Sequence, residues 1–114
     1  MRPVYQDPIG SATSGAVVPL DWRGSSPYAT VGVILAGTPT LTYTVEYTLD
    51  DVFAAAFNPA TATWWPFPVA ALVTANANQS ALLDRPVTGI RLRVSAWTQG
   101  TARLVVIPAN GPTA

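Results

Sequence analysis

The chain has 114 residues and no net charge, and only 11% of its residues are charged, against about 25% in an average soluble domain. It contains no cysteine and no histidine, and all six of its cations are arginines. This composition excludes a disulfide framework, a thiolate metal site, histidine base catalysis and lysine Schiff-base chemistry. The zero net charge also gives no electrostatic reason to expect nucleic acid or an anionic membrane as a partner.

The surface must be largely neutral, because 49% of the residues are hydrophobic and few are charged. A surface of this kind tends to associate. The chain is either a poorly soluble monomer or a subunit largely covered by its neighbours, and the low charge content favours the subunit. The length predicts one domain, and no apolar run reaches the ~20 residues that cross a bilayer. The N-terminus lacks the apolar run of a signal peptide, which predicts synthesis in the cytoplasm without export.

Residues 1–15 have no hydrophobic periodicity and are broken by prolines and glycines. Such a segment buries too little apolar surface to offset the entropy lost when it is ordered. We expect either a loose tail or an extended arm that is ordered only against a neighbouring protein, with Tyr5 and Ile9 as its anchors. The predicted organisation is this arm, a β domain at 16–108 and a tail at 109–114.

The first strands follow this segment. Residues 16–20 are a short apolar run interrupted by proline, which predicts an edge strand, and a turn cluster follows at 21–27. Residues 28–35 are apolar almost without interruption, which is typical of a central strand covered on both faces. The Gly-Thr-Pro sequence at 37–39 predicts a turn.

The clearest element is 41–49, LTYTVEYTL, in which apolar and polar residues alternate strictly. Successive side chains of a strand point to opposite faces, so this segment predicts a core strand with one apolar and one polar face. The adjacent Asp50 and Asp51 are too few and too closely spaced for a calcium loop. A strand-ending turn that hydrogen-bonds its own backbone accounts for them.

The rest of the chain predicts more short strands. Residues 52–63 predict a loop with about one helical turn. The Trp-Trp-Pro-Phe-Pro sequence at 64–68 predicts extended backbone with its rings on opposite sides. A strand at 69–74, a loop at 75–80, a strand at 87–97, a hairpin loop at 98–101 and a returning strand at 102–107 complete the pattern. Within 87–97, we expect the side chains Ile90, Leu92, Val94 and Ala96 on one face, and Arg91, Arg93, Ser95 and Trp97 on the other.

Short strands at regular intervals, with turn signals between them and no crossover helix, predict an all-β antiparallel sandwich. Jelly-roll and immunoglobulin-like wiring both fit this pattern.

Two side-chain groups invite a functional interpretation. Trp64 and Trp65 could stack on a sugar, plug a subunit interface or close the core, and the last two are favoured. Arg91 and Arg93 share one strand face, where Arg103 could join them as a small anion site. Cross-strand pairing with Glu46 is the ordinary explanation of these arginines.

The sequence contains no recognisable catalytic motif. The hydroxyl groups have no histidine or lysine to activate them, and neither a nucleophile elbow nor a phosphate-binding glycine motif occurs. We therefore expect no enzyme activity, no cofactor and no metal.

Three features together resemble small structural proteins of tailed bacteriophages: TVEYTLDDVF at 44–53, the tryptophans at 64–65, and PVTGIRLRVSAWTQGTARLVVI at 86–107. Several proteins of this kind are β-sandwich decoration or cement proteins. The resemblance implies a passive role on the virion surface, bridging subunits of the major capsid protein and often forming dimers or trimers. A head-fibre, neck or tail component, and a carbohydrate-binding adhesin that uses Trp64 or Trp65, are the alternatives. The candidate partner-interface residues are Tyr5, Ile9, Trp64, Trp65, Phe67, Arg91, Arg93 and Trp97.

Overall fold

The computed structural model describes residues 4–20 and 29–108, and its only helix within these ranges is a single 3-10 turn, Ala70–Leu72. The strands in chain order are β1 (Val4–Tyr5), β2 (Val18–Pro19), β3 (Ala29–Thr48), β4 (Trp64–Pro66), β5 (Gln79–Leu83) and β6 (Gly89–Pro108). They form one antiparallel sheet, which confirms the all-β class. The predicted turn cluster at 21–27 and the tail at 109–114 lie outside the described residues.

Two strands of 20 residues each, β3 and β6, form the centre of the sheet. They pair along their whole length, with Ala29 opposite Pro108 and Thr48 opposite Gly89. The sequence predicted two shorter strands in the place of each one. The predicted turns at 37–39 and 98–101 are therefore wrong, because the chain continues through both.

The glycines at these places do adopt positive φ, at 76° for Gly37 and 91° for Gly100. They produce an irregularity in the pairing of β3 with β6 instead of reversing the chain. A Cβ on Gly100 would lie 2.6 Å from the Cα of Pro39, so only glycine fits there. The irregular stretches of the two strands lie opposite each other. They separate the strand pair into two regions, and regular pairing resumes on either side.

The division gives two regions, each named after the short strand that pairs with it on the other edge of β3. The β5 half comprises residues 29–35 and 102–108, and the β4 half comprises residues 41–48 and 89–97.

The N-terminal segment, residues 4–20, runs along the free edge of β6 through both halves. The described pairings are Val4 with Val106, Ile9 with Ala102, Ser14 with Arg93, and Val18 with Ile90. Prolines lack the N–H that a ladder needs, and the interrupted sequence therefore pairs in short pieces. An arm ordered only against a neighbour is not confirmed, because the described part of this segment is extended on the sheet of its own chain.

The connection between β4 and β5 differs from its prediction. The expected strand at 69–74 is wrong, because the 3-10 turn Ala70–Leu72 lies there and places Leu72 in the core with no exposed surface. The expected loop at 75–80 is confirmed for residues 75–78 and ends where β5 begins, at Gln79; β5 pairs with β3 from Ala29 to Val33. Residues 52–63 form the predicted loop and contain hydrogen-bonded turns.

One hydrophobic core takes residues from both halves. Alternate residues of β3 and β6 point into it, which confirms the period-two interpretation of 41–45 and 90–94. The core residues are Val18, Leu20, Ala29, Val31, Val33, Leu41, Tyr43, Val45, Phe67, Leu72, Leu83, Val87, Ile90, Leu92, Val94, Ala102, Leu104 and Val106.

Candidate interaction surface

The outward side of the β5 half is an apolar sheet face, which we call the apolar face. Its members come from four neighbouring stretches of the sheet: Tyr5 of β1, Val105 and Ile107 of β6, Ile34 of β3, and Leu82 of β5. The exposed fractions of Tyr5, Leu82, Ile34 and Ile107 are 62%, 54%, 50% and 45%. A row of half-exposed large side chains across adjacent strands differs from the scattered apolar residues of an ordinary surface.

The register explains how these side chains come together. Thr30 lies between Leu82 and Ile107, and the next outward position on β3 is a glycine, Gly32, which lies between Ser80 and Val105. A groove of about 460 Å³ opens beside Gly32, which has no side chain, and it lies between apolar side chains of β3 and β6 on one side and the polar residues 78–80 on the other.

One cation borders the apolar face. Arg103 is directly opposite Ile34 in the register of β3 with β6. Its Nε atom is buried and has no hydrogen-bond partner within the described part of the chain. A buried donor without a partner is costly, and the guanidinium as a whole is only partly buried, so its charge remains available to an anionic group of a partner.

The outward side of the β4 half, which we call the polar face, is different. The Nε atom of Arg91 lies 2.9 Å from a carboxylate oxygen of Glu46 directly across the strands, and the Nη1 atom of Arg93 lies 4.0 Å from the other oxygen. This confirms the predicted cross-strand pairing with Glu46. Arg103 lies in the other half of the molecule, so the predicted cluster of three guanidiniums does not form.

The Arg91 side chain also covers one of the predicted aromatic candidates. Its guanidinium carbon lies 4.0 Å from the centre of the Trp64 ring, and the Nε1 atom of Trp64 donates to the carbonyl of Pro59 at 2.9 Å. Cation–π contact and hydrogen bond together use both the face and the polar edge of this ring. Trp64 is therefore tied into the polar face.

The two other aromatic residues of this segment, Trp65 and Phe67, differ in exposure. Trp65 is opposite Tyr47 and is 46% exposed, so it remains accessible. Phe67 is 3% exposed and belongs to the core, so its prediction as an interface residue is wrong. The backbone N–H of Phe67 bonds to the carbonyl of Val45, which places Phe67 beside a buried position of β3.

The predicted anchors of the N-terminal segment also differ from each other. Tyr5 is exposed on the apolar face. Ile9 exchanges two backbone hydrogen bonds with Ala102, at 2.8 and 3.0 Å, and packs against the core. Ile9 therefore anchors the segment to its own chain, and only Tyr5 remains available to a partner.

Trp97 lies on a different side of the sheet from the one predicted. The register skips Ser95, pairing Val94 with Tyr43 and Ala96 with Thr42, so the alternation shifts by one residue. Trp97 is consequently opposite the buried Leu41 rather than in line with the arginines of the polar face. It is 41% exposed.

The hydroxyl of Tyr43 holds the segment around Ala77, which lies near Trp97. The Oη atom of Tyr43 donates to the carbonyl of Ala77 at 2.6 Å, and the Tyr43 side chain is fully buried. Burial raises the pKa of Tyr43 to about 12, because the charged phenolate would lose its hydration.

The paired aspartates act as the sequence predicted. A carboxylate oxygen of Asp50 accepts from the N–H of Thr63 at 2.9 Å, and one of Asp51 accepts from the N–H of Phe53 at 3.0 Å. Among the described residues, no group of three or more His, Cys, Asp or Glu side chains could hold a metal ion. Within the same residues, no helix is long and apolar enough to span a membrane.

Sequence reasoning missed most of the apolar face, namely Ile34, Leu82, Val105 and Ile107. A signal for it was present, because the near-continuous apolarity of residues 28–35 predicts a strand covered on both faces. The described part of the chain covers only the inward face of this strand. Comparison of the chain with protein-family models, with curated proteins and with solved structures finds no match.

Proposed function

We propose that the protein is a structural subunit of a tailed-bacteriophage virion, and specifically a capsid decoration (cement) protein that docks its apolar face on the major capsid protein. The observation that carries this proposal is the apolar face itself. It crosses the two central strands and the strands on either side of them, and four of its five large side chains are between 45% and 62% exposed. The sequence of β3 there is that of a strand covered on both sides.

Burial of the apolar face and pairing of Arg103 would both favour docking. Covering the exposed parts of Ile34, Leu82 and Ile107 would contribute about 2–5 kcal/mol, at roughly 1.5–3 kcal/mol for full burial of each side chain. A carboxylate of the partner placed against the partly exposed guanidinium of Arg103 would form a charge-assisted pair and fix the register of docking. A few such groups carry most of the binding energy in known interfaces.

The low charge content supports the same role. With 11% charged residues, the chain has little of the charge that keeps independent proteins apart in solution. The resemblance of 44–53, 64–65 and 86–107 to phage structural proteins indicates the virion as the location. In this proposal the protein attaches after synthesis in the host cytoplasm and stabilises the capsid passively, without catalysis or a cofactor.

The finer architecture belongs to the proposal as well. We infer that the irregular joint folds the β4 half over the β5 half as the two layers of a sandwich. The support is that buried residues of both halves share one core. Tyr5, at the N-terminal end of the described chain, would then extend the apolar face towards a neighbouring capsid subunit or a sister copy in a dimer or trimer.

The test is co-sedimentation with capsids assembled without this protein. The variant Leu82→Asp places a charge on the docking surface, and Ser95→Asp places the same charge on the polar face as a matched control. Burial of an unpaired carboxylate is costly, so we expect Leu82→Asp to bind roughly 100-fold more weakly while the control binds like the wild type. Wild-type binding that is equal to that of Leu82→Asp would refute the proposed surface, and absence of wild-type binding would refute the proposed partner.

A further inference from the structure

A second concavity, of about 290 Å³, lies at the irregular joint between the two halves and away from the apolar face. We call it the Trp97 pocket. Its wall is built by Thr40 and Thr42 of β3, Asn76 of the segment before β5, and Trp97 and Thr98 of β6.

The Trp97 ring is held in place. Its Nε1 atom donates to the carbonyl of Gly100 at 2.8 Å, and its cross-strand neighbour Leu41 is buried. The polar edge of the indole is thus already satisfied within the chain, while 41% of the residue is exposed. What this residue offers to a ligand is a flat apolar surface in a fixed orientation.

The polar groups around the ring are uncharged. No charged residue lines the pocket, and the side chains of Thr40, Asn76 and Thr98 make no hydrogen bond within the described part of the chain. An amide offers both a donor and an acceptor, and a hydroxyl does the same. This lining suits a neutral ligand that is rich in hydroxyl groups.

The backbone on both sides of the pocket is strained. Thr38 and Thr74 have φ angles of 54° and 50°, which β-branched residues rarely adopt. The side-chain amide of Gln99 donates to the carbonyl of Thr38 at 2.6 Å, and the N–H of Thr74 donates to the hydroxyl of Thr44 at 2.9 Å. Such strain concentrates at binding sites, where the surrounding structure maintains it.

We propose that the Trp97 pocket binds one ring of a neutral saccharide. The C–H face of a pyranose stacks on the indole of Trp97, and adjacent hydroxyls of the sugar bond to the amide of Asn76 and to the threonine hydroxyls. The volume is at the low end of ligand pockets, which run from about 300 to 1,000 Å³, so a single ring fits and a longer glycan extends into solvent. This site is independent of the proposed capsid attachment and differs from the Trp64–Trp65 site considered from the sequence, where Arg91 covers the ring of Trp64.

The experiment is saturation-transfer difference NMR of the full chain with glucose, galactose, mannose and N-acetylglucosamine, each at millimolar concentration. We expect ring-proton signals from at least one sugar. Affinity should fall roughly tenfold or more in Trp97→Ala, through loss of stacking, and in Asn76→Ala, through loss of hydrogen bonds. Trp65→Ala, which removes a tryptophan of similar exposure outside the pocket, should leave affinity unchanged.

Three results would overturn the proposal: no signal from any of the four sugars, binding that survives both pocket substitutions, or binding that Trp65→Ala weakens as much as Trp97→Ala does. Asn76 is exposed and makes no side-chain bond within the described chain, so its substitution leaves the fold intact and decides the question if Trp97→Ala does not fold.

Discussion

The β4 half and the β5 half are built from the same two strands with the same inward alternation, yet their outward faces have opposite chemistry. The polar face carries the Glu46–Arg91 ion pair, and Arg91 in turn covers Trp64. The apolar face carries half-exposed Ile34 and Leu82 beside an arginine whose Nε has no partner in the described chain. One face satisfies its groups within the described chain, whereas the other does not, and this difference supports the apolar face as the proposed docking side.

The largest expected effect concerns the N-terminal segment, which runs along both halves. Deletion of residues 1–10 removes β1, the packing of Ile9 on the core and the hydrogen bonds to β6 in the β5 half. We expect the free energy of unfolding to fall by about 3–5 kcal/mol in urea titrations. Ile9→Ser should reproduce part of this loss, and Tyr5→Ser, on the outward side, should have little effect. Equal stability of the deleted and intact chains would contradict internal docking of the segment.

The next effect tests whether the β4 half satisfies its buried polar groups internally. The pKa of Tyr43 is raised to about 12, above the ordinary value of 10, so between these pH values the folded state keeps a proton that the unfolded state has lost. This contribution to stability is fully present below pH 10 and is lost as the pH rises through 12. The wild type should therefore lose about 1.4 kcal/mol per pH unit relative to Tyr43→Phe between pH 10 and 12. Unfolding by urea at pH 8, 10 and 11 measures the difference, and a difference that is independent of pH would contradict a raised pKa of Tyr43 in the folded state.

A smaller effect contrasts the two outward faces directly. Glu46→Gln leaves Arg91 without its counter-ion at a site where both side chains are less than 15% exposed, and we expect it to cost about 1–3 kcal/mol. Leu82→Thr on the apolar face should change the stability of the isolated chain by no more than about 0.5 kcal/mol, because that side chain packs little within the chain. Thermal or urea unfolding of both variants supplies the measurement. A larger cost for Leu82→Thr would show that the apolar face serves the fold rather than a partner.

Local pattern predicted the faces of strands better than it predicted their connections. The alternation in 41–49 correctly placed Leu41, Tyr43 and Val45 in the core. The positive φ of Gly37 and Gly100 was also inferable, but whether such a glycine reverses the chain or forms a bulge depends on the strand across from it. Here that strand is more than fifty residues away in sequence, so no local signal could decide.

The wrong predictions for Trp97 and Phe67 also result from contacts with residues distant in sequence. The skipped pairing at Ser95 shifts Trp97 to the other side, and the neighbourhood of Val45 draws Phe67 into the core. Neither effect can be predicted from the local sequence. Of the residues on the apolar face, the sequence predicted only Tyr5 as an interface residue. An apolar run indicates that both faces of a strand are covered, but it does not show which face the described chain leaves exposed.

In the proposed role, another protein covers the apolar face and leaves the polar face open. Since the chain has no cysteine, Ser80→Cys on the apolar face and Ser95→Cys on the polar face are matched, exposed, single-thiol probes. Their maleimide labelling rates are to be compared in the free protein and on capsids that carry it. We predict at least roughly tenfold slower labelling at position 80 upon attachment and an unchanged rate at position 95. Unchanged labelling at position 80, or protection confined to position 95, would contradict the claim.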